Sequence, residues 1–142
     1  MYKSIILPVD LGEDSSWTRA LPVAAKIAED YGATLHVVNV VPDFGMPVVG
    51  SFFPEDFAKK ALAAAKQKLK ELTEKHAPAG VTVVPHVAHG SIYKEIMRAA
   101  DELGCDLIVI SSHRPEMKDY MLGPNAARVA RHARQSVMIV RN

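Results

Sequence analysis

Residues 107–125 read LIVISSHRPEMKDYMLGPN and combine an apolar run, a polar segment and a glycine that precedes a helical pattern. The opening LIVI is mostly β-branched, as expected for a strand that is covered on both faces. A new helix is expected to start at Gly123. The unpaired N–H groups and aligned peptide dipoles of a helix N-terminus favour negative charge. This stretch therefore predicts either an anion-binding loop or an ordinary connection between a strand and a helix.

The same alternation of apolar runs and helical patterns extends over the whole chain. Four further strand-like runs lie at 4–9, 35–41, 81–87 and 136–140. Between the runs, apolar residues recur at intervals of three and four, which is the spacing of one helix face. Five strands that alternate strictly with helices predict an α/β fold, a single domain over 1–142 with a parallel sheet and helices on both faces.

Prolines and small polar residues give local expectations. Pro22 is expected to kink the first helix or to shift its start, and the DSS segment at 14–16 offers a turn and N-cap candidates. Pro85 predicts that the third strand lies at an edge of the sheet or is irregular, because proline lacks the ladder N–H. Residues 43–54 have no period and are interpreted as a loop.

Composition indicates a globular protein without an obvious polyanionic partner. The 142 residues are 49% hydrophobic and 23% charged, with a net charge of +1, so neither nucleic acid nor an anionic membrane is expected as a partner. The single cysteine, Cys105, excludes an internal disulfide framework. No apolar run approaches a membrane span or a signal-peptide core, and we expect a cytoplasmic protein.

Motifs of well-known α/β enzymes are missing from the sequence. It has no G-x-x-x-x-G-K-[ST], no G-x-S-x-G and no G-x-G-x-x-G. A phospho-receiver is also disfavoured, because no aspartate follows the third strand and no lysine follows the fifth. His86 and His89 lack carboxylate or thiolate neighbours at ligand spacing, so no metal site is expected. With no nucleophile or general base in evidence, the chain is not expected to be an enzyme with fast turnover.

Polar residues follow two of the predicted strands: Asp10 follows the first, and the loop 111–125 follows the fourth. In such sheets, ligands bind at the carboxyl ends of the strands, where the strand order reverses. Asp10 could either accept hydrogen bonds from ribose hydroxyls or cap the following turn.

The last helix carries three arginines along one side, Arg128, Arg131 and Arg134, and we favour a solvated face over nucleic-acid contact.

The last strand indicates self-association. It is apolar throughout, and a bare apolar edge strand aggregates unless it is covered or paired. Pairing with its own copy about a two-fold axis would remove the edge. We therefore expect a homodimer through the fifth strand, formed by Val137, Met138, Ile139 and Val140.

Several segments along the chain resemble the universal stress protein family. They are IILPVD at 5–10, the strand at 35–41, HGS at 89–91 and RHARQSVMIVR at 131–141. SHRP at 112–115 and YMLGPNA at 120–126 are similar to the enterobacterial F/G-like branch in particular. The resemblance implies the strand order 3-2-1-4-5, dimers joined through the fifth strands and, in many members, bound ATP.

The resemblance also implies a nucleotide site. The family motif G-x₂-G-x₉-G-[ST] falls here on Ser111, Arg114, Gly123 and Pro124, with one residue fewer before Gly123. Only that glycine is retained, while His113 and Arg114 add cationic donors suited to phosphate and Asn125 adds an amide. The cofactor-binding residues that the resemblance implies are Pro8, Val9, Asp10, Val40, Ser111, His113, Arg114, Gly123, Pro124 and Asn125. Among them, Asp10 corresponds to the ribose contact, and Val9 and Val40 to the adenine contacts.

Two functions follow as hypotheses. The first is a stress-response sensor or regulator that binds an adenine nucleotide, ATP or else AMP or ADP, with Mg²⁺ as an optional companion. The second is a nucleotide-independent dimeric module that acts in the stress response through protein interactions. Co-purifying nucleotide, or the effect of Asp10→Ala, separates them.

Overall fold

The structure, a computed structural model, describes residues 1–42, 55–112 and 123–141. In these ranges one five-stranded parallel sheet has the order β3-β2-β1-β4-β5, which confirms the predicted fold class. Its elements, in chain order, are β1 (Ser4–Val9), α1 (Ala20–Tyr31), β2 (Thr34–Pro42), α2 (Glu55–His76), β3 (Val83–Gly90), α3 (Ile92–Glu102), β4 (Leu107–Ser112), α4 (Gly123–His132) and β5 (Ser136–Arg141). The predicted loop at 43–54 lies outside the described residues.

Side chains of the sheet alternate between two apolar clusters, one on each face. Ile5, Leu7 and Val9 of β1 pack with α1 and with Leu69 of α2. Ile6 packs into the other cluster with residues of α3 and α4. This alternation follows from the two-residue period of a strand, and it explains why the central strands are apolar without interruption.

The two edge strands differ in how they end the sheet. Strand β3 contains Pro85 and lies at one edge, as its proline predicts, although it begins two residues later and ends three residues later than expected. Strand β5 lies at the other edge, where Met138 and Ile139 keep 40% and 37% of their surface exposed. The sheet therefore has one edge strand, β3, in which proline removes a hydrogen-bond donor, and one apolar edge strand, β5.

The start of α1 is displaced by Pro22, as expected. The helix begins at Ala20, which puts the proline in the first turn, where its missing N–H costs no intrahelical bond. The expectation that the DSS segment supplies the N-cap is wrong: Arg19 is at the cap position and makes no side-chain cap bond. Residues Asp14–Ser16 instead form a short 3₁₀ turn. Ser16 is directed back to the end of β1.

The ladder between β1 and β4 stops early. Lys3 O accepts the N–H of Thr34 in β2, and Ser4 O accepts the N–H of Asp106 before β4, so even-numbered residues of β1 face β4. Pairing with β4 ends at Ile6, whereas pairing with β2 continues to Val9. Pro8 is the next residue that faces β4, and it has no N–H to donate. The paired part of β1 and β4 therefore ends before their carboxyl ends.

Candidate functional site

Asp10 lies at the carboxyl end of β1 and is held by its own loop. Only 8% of its surface is exposed. Its N–H donates to Ser16 Oγ at 2.8 Å, and Ser16 Oγ donates to the Asp10 carbonyl at 3.0 Å. The N–H of Gly12 donates to Asp10 Oδ1 at 2.9 Å. These three bonds fix the backbone and the carboxylate of Asp10 at the carboxyl end of β1, beyond the last residue that pairs with β4.

Ser111 connects β4 to the same loop. It is fully buried at the carboxyl end of the strand, and its Oγ donates to the carbonyl of Ser15 at 3.1 Å. The loop after β1 is therefore tied to the ends of both strands, through Ser16 on one side and Ser111 on the other. This junction is the switch point of the sheet, because β1 and β4 continue to different edges.

Asn39 is a further polar residue of this region that sequence reasoning did not single out. It is buried in β2, and its Nδ2 donates to the carbonyl of Val9 at 3.0 Å. A buried amide in the apolar run of a central strand is the signal that could have identified it, because such groups are normally hydrogen-bonded. Asn39 fixes the end of β1 from the side opposite to β4.

The valines predicted to contact adenine belong to opposite faces of the sheet. Val9 is part of the cluster with α1 and α2, and Val40 is part of the cluster with α3 and α4. Pro8 is buried in β1 and pairs with Val38 of β2.

Three predicted residues form the beginning of α4. Gly123 and Pro124 are its first two residues, which confirms the expected helix start, and Asn125 follows in a half-buried position. Ala126 then packs in the same cluster as Val40. His113 and Arg114 lie outside the described residues. The N-terminal end of α4 thus begins where the polar segment after β4 ends in sequence.

His86 is paired with His36 of the neighbouring strand rather than with His89. His36 Nδ1 and His86 Nε2 are 2.8 Å apart. Partial burial lowers the pKa of both imidazoles below the usual 6.5, and for His36 the neighbouring His86 lowers the pKa further. Within the described ranges, no group of three or more histidine, cysteine or acidic residues is arranged to hold a metal ion.

The residues at the carboxyl ends of β1 and β4 can recognise a ligand through hydrogen bonds. A fixed carboxylate accepts hydrogen bonds from hydroxyl groups, and a helix N-terminus presents N–H donors to an anion.

Among the described residues, none of the helices is both long and apolar enough to cross a membrane.

Comparison with known proteins gives consistent matches over the full chain. Residues 1–141 match the model of the universal stress protein family. Universal stress protein G of Shigella flexneri is 32% identical over 143 aligned residues, which cover 99% of this chain and all of that protein.

Solved structures share the fold at lower identity. The structure of MJ0577 from Methanocaldococcus jannaschii superposes with a TM-score of 0.75 at 22% identity, covering 100% of this chain and 97% of that one. A universal stress protein solved in complex with cAMP has a TM-score of 0.61 at 22% identity, covering 99% and 97%. One from Archaeoglobus fulgidus in complex with dAMP has a TM-score of 0.59 at 24% identity, covering 97% of both chains. The strand order, the family match and the full-length similarity together establish that this chain belongs to the universal stress protein family.

Proposed function

We propose that this protein binds an adenine nucleotide at the carboxyl ends of β1 and β4 and acts as a nucleotide-dependent sensor or regulator in the stress response. The observation that carries the proposal is the buried residue Asp10, whose carboxylate is held by Gly12 and whose backbone is held by Ser16, at the end of a strand whose pairing with β4 ends at Ile6. A pre-positioned acceptor in a crevice at a switch point is the usual arrangement for nucleotide recognition.

The ribose side of the proposed site fits the residues present. A carboxylate at the end of a central strand accepts hydrogen bonds from ribose hydroxyls, and Asp10 is the acidic residue directly after β1. The hydrogen bond from Gly12 uses Oδ1 and orients the carboxylate before any ligand binds. Because little side-chain freedom remains to be lost, the entropic cost of binding is reduced.

The phosphate side combines a helix N-terminus with proposed cationic donors. N–H groups at the start of α4 and its dipole favour an anion, although Pro124 contributes no N–H. The predicted donors His113 and Arg114 compensate for this loss in the proposal. Ser111 replaces a glycine of the family motif and is fully buried, so its Cβ restricts how closely a phosphate can approach that backbone. We therefore expect phosphate binding to depend on side chains.

Structural neighbours support the choice of ligand. Two proteins of this fold were solved with cAMP and dAMP, which share the adenine base and a sugar phosphate with AMP and ATP. Binding rather than fast turnover is proposed, because the sequence contains no G-x-x-x-x-G-K-[ST] or G-x-S-x-G motif of a catalytic α/β site. Any hydrolysis of ATP is expected to be slow, with Mg²⁺ bound through the phosphates rather than by a protein cage.

Isothermal titration calorimetry on Asp10→Asn tests the proposal. The amide keeps an oxygen for the Gly12 N–H but removes the negative charge offered to the ribose. We expect ATP and AMP to bind at least tenfold more weakly, corresponding to about 1.4 kcal/mol. Asp14→Asn is the matched control, because Asp14 is an exposed acid of the same loop. Equal affinities of Asp10→Asn and the unmodified protein would refute the proposed role of Asp10.

A second function is favoured by the exposed edge of the sheet. Met138 and Ile139 of β5 present an apolar strand that a two-fold partner strand would cover. In this alternative the protein is a dimeric interaction module that needs no nucleotide. A dimer in sedimentation equilibrium, combined with no calorimetric heat from millimolar ATP and Mg²⁺, would favour the module over the nucleotide-binding protein.

A further inference from the structure

A polar cavity lies between α3 and α4, and its lining includes no residue of the loop that holds Asp10. Its volume is about 420 Å³, which is within the size range of small-molecule sites. The cavity, called here the α3–α4 cleft, is lined by Tyr93, Ala127, Arg128, Arg131 and His132. Apart from Tyr93, the charged or titratable side chains in this lining are all basic: Arg128, Arg131 and His132. The cleft is therefore suited to an anion.

The guanidinium of Arg128 is held in place by an aromatic ring. Its Cζ lies 5.2 Å from the centroid of the Tyr93 ring, within the range of a cation–π contact. The His132 ring is near the same tyrosine, with the centroids 6.5 Å apart. All N–H donors of a guanidinium lie in its plane, so a ring-stacked arginine keeps them available for an oxyanion. Tyr93 thus orients a donor without neutralising it.

Among the described residues, no acid forms an ion pair with the arginines of the cleft. In the part of the chain that the structure describes, neither Arg128 nor Arg131 forms an ion pair. The nearby acids of α3 have other partners: Glu95 lies 2.9 Å from Arg98, and an Asp101 oxygen accepts a hydrogen bond from a side chain after α4 at 2.8 Å. Like charges three residues apart on a helix repel each other. The arrangement has an electrostatic cost that an anion would relieve.

The helix dipole accounts for only part of this basic face. Arg131 and His132 are in the last turn of α4, where positive charge is favoured. Arg128 is one turn earlier, where the dipole effect has declined, and it is the residue that stacks on Tyr93. We propose that the α3–α4 cleft binds a small polyanion carrying two or more phosphoryl groups, held by Arg128, Arg131 and His132. The site is distinct from the nucleotide site proposed at Asp10.

Calorimetry with inorganic tripolyphosphate tests this assignment in the Asp10→Asn/Arg114→Gln background, which removes the proposed ribose acceptor and one proposed phosphate donor of the nucleotide site. Binding is expected in this background, and Arg128→Gln or Arg131→Gln is expected to weaken it about tenfold, through loss of a charged hydrogen bond. Arg134→Gln is the matched control, because Arg134 is exposed beyond the end of α4 and does not line the cleft. It is expected to change affinity less than twofold.

Two further readouts locate the ligand and identify its source. In ¹⁵N-¹H spectra, tripolyphosphate should shift the amide signals of Tyr93 and of residues 127–132. In the same background, ATP binding equal to that of tripolyphosphate would show that the phosphates alone are recognised. ATP binding at least tenfold tighter, and weakened by Arg128→Gln, would assign the cleft to nucleoside triphosphates. Absence of binding, or equal loss in Arg128→Gln and Arg134→Gln, would overturn the proposal. So would loss of all tripolyphosphate binding in Asp10→Asn/Arg114→Gln, with the fold retained, because the two sites would then not be distinct.

Discussion

Ser16→Ala is the perturbation that most directly tests how the loop after β1 is held. Ser16 is fully buried, and its hydroxyl accepts the N–H of Asp10 and donates to the carbonyl of the same residue. Alanine removes both bonds. At about 1 kcal/mol for each hydrogen bond, the free energy of unfolding should fall by about 2 kcal/mol.

Urea unfolding measures the stability loss, and calorimetry measures its effect on the site. With a denaturant slope of about 2 kcal/mol/M, the midpoint should shift by about 1 M urea. The Asp10 carboxylate would also lose part of its fixed position. Ordering it again on binding should weaken nucleotide affinity about fivefold, the equivalent of immobilising one side chain.

The neighbouring Ser15→Ala variant is the control. Ser15 Oγ is only half-buried and donates to a Glu13 oxygen at 3.1 Å, and the Ser15 carbonyl that accepts from Ser111 survives the substitution. Its stability should change by no more than about 0.5 kcal/mol. If Ser16→Ala and Ser15→Ala have equal effects, the bonds between Ser16 and Asp10 are not what fixes this loop.

Three other predictions concern the sheet. Pro8→Val adds an N–H that faces β4, and this amide should exchange slowly with deuterium while nucleotide affinity falls; rapid exchange would show that proline does not end the ladder. Because burial lowers the pKa of His36 and His86, the unfolded chain takes up protons first, so the free energy of unfolding should fall as the pH drops below about 6.5. Replacing both histidines by valine should flatten this pH profile, and an unchanged slope would assign it to other groups. Ile139→Lys should yield monomers in sedimentation equilibrium, whereas Ser136→Lys at the exposed start of β5 should not; dimers of both would exclude β5 as the interface.

The fold could be predicted because its determinants are local. Strictly alternating apolar runs and helical spacings specify a parallel sheet with covered faces, and Pro85 marked an edge strand because a proline lacks one ladder donor. The beginning of α4 at Gly123 could also be predicted from the sequence. These features depend on residues close in the chain and on general rules of topology.

The details of the site could not be predicted in the same way, because they depend on register and on loop geometry. Serine is a residue type that is favoured at helix N-caps, yet the hydroxyl of Ser16 bonds to the backbone of Asp10, six residues earlier. The contact between His36 and His86 joins residues 50 positions apart, and it follows from the pairing of β2 with β3. The early end of the β1–β4 ladder likewise appears only when the backbone groups of Pro8 are assigned to one side of the strand.

The central claim is that the crevice beside Asp10 holds an adenine nucleotide, and the nucleotide content of the purified protein tests it most directly. The protein would be purified without added nucleotide and denatured, and the supernatant would be separated on a calibrated ion-exchange column. The account predicts ATP, ADP or AMP in near-stoichiometric amount, and much less from Asp10→Asn prepared in parallel. An empty supernatant, followed by no calorimetric heat with millimolar ATP and Mg²⁺, would contradict the account and leave the dimeric interaction module as the function.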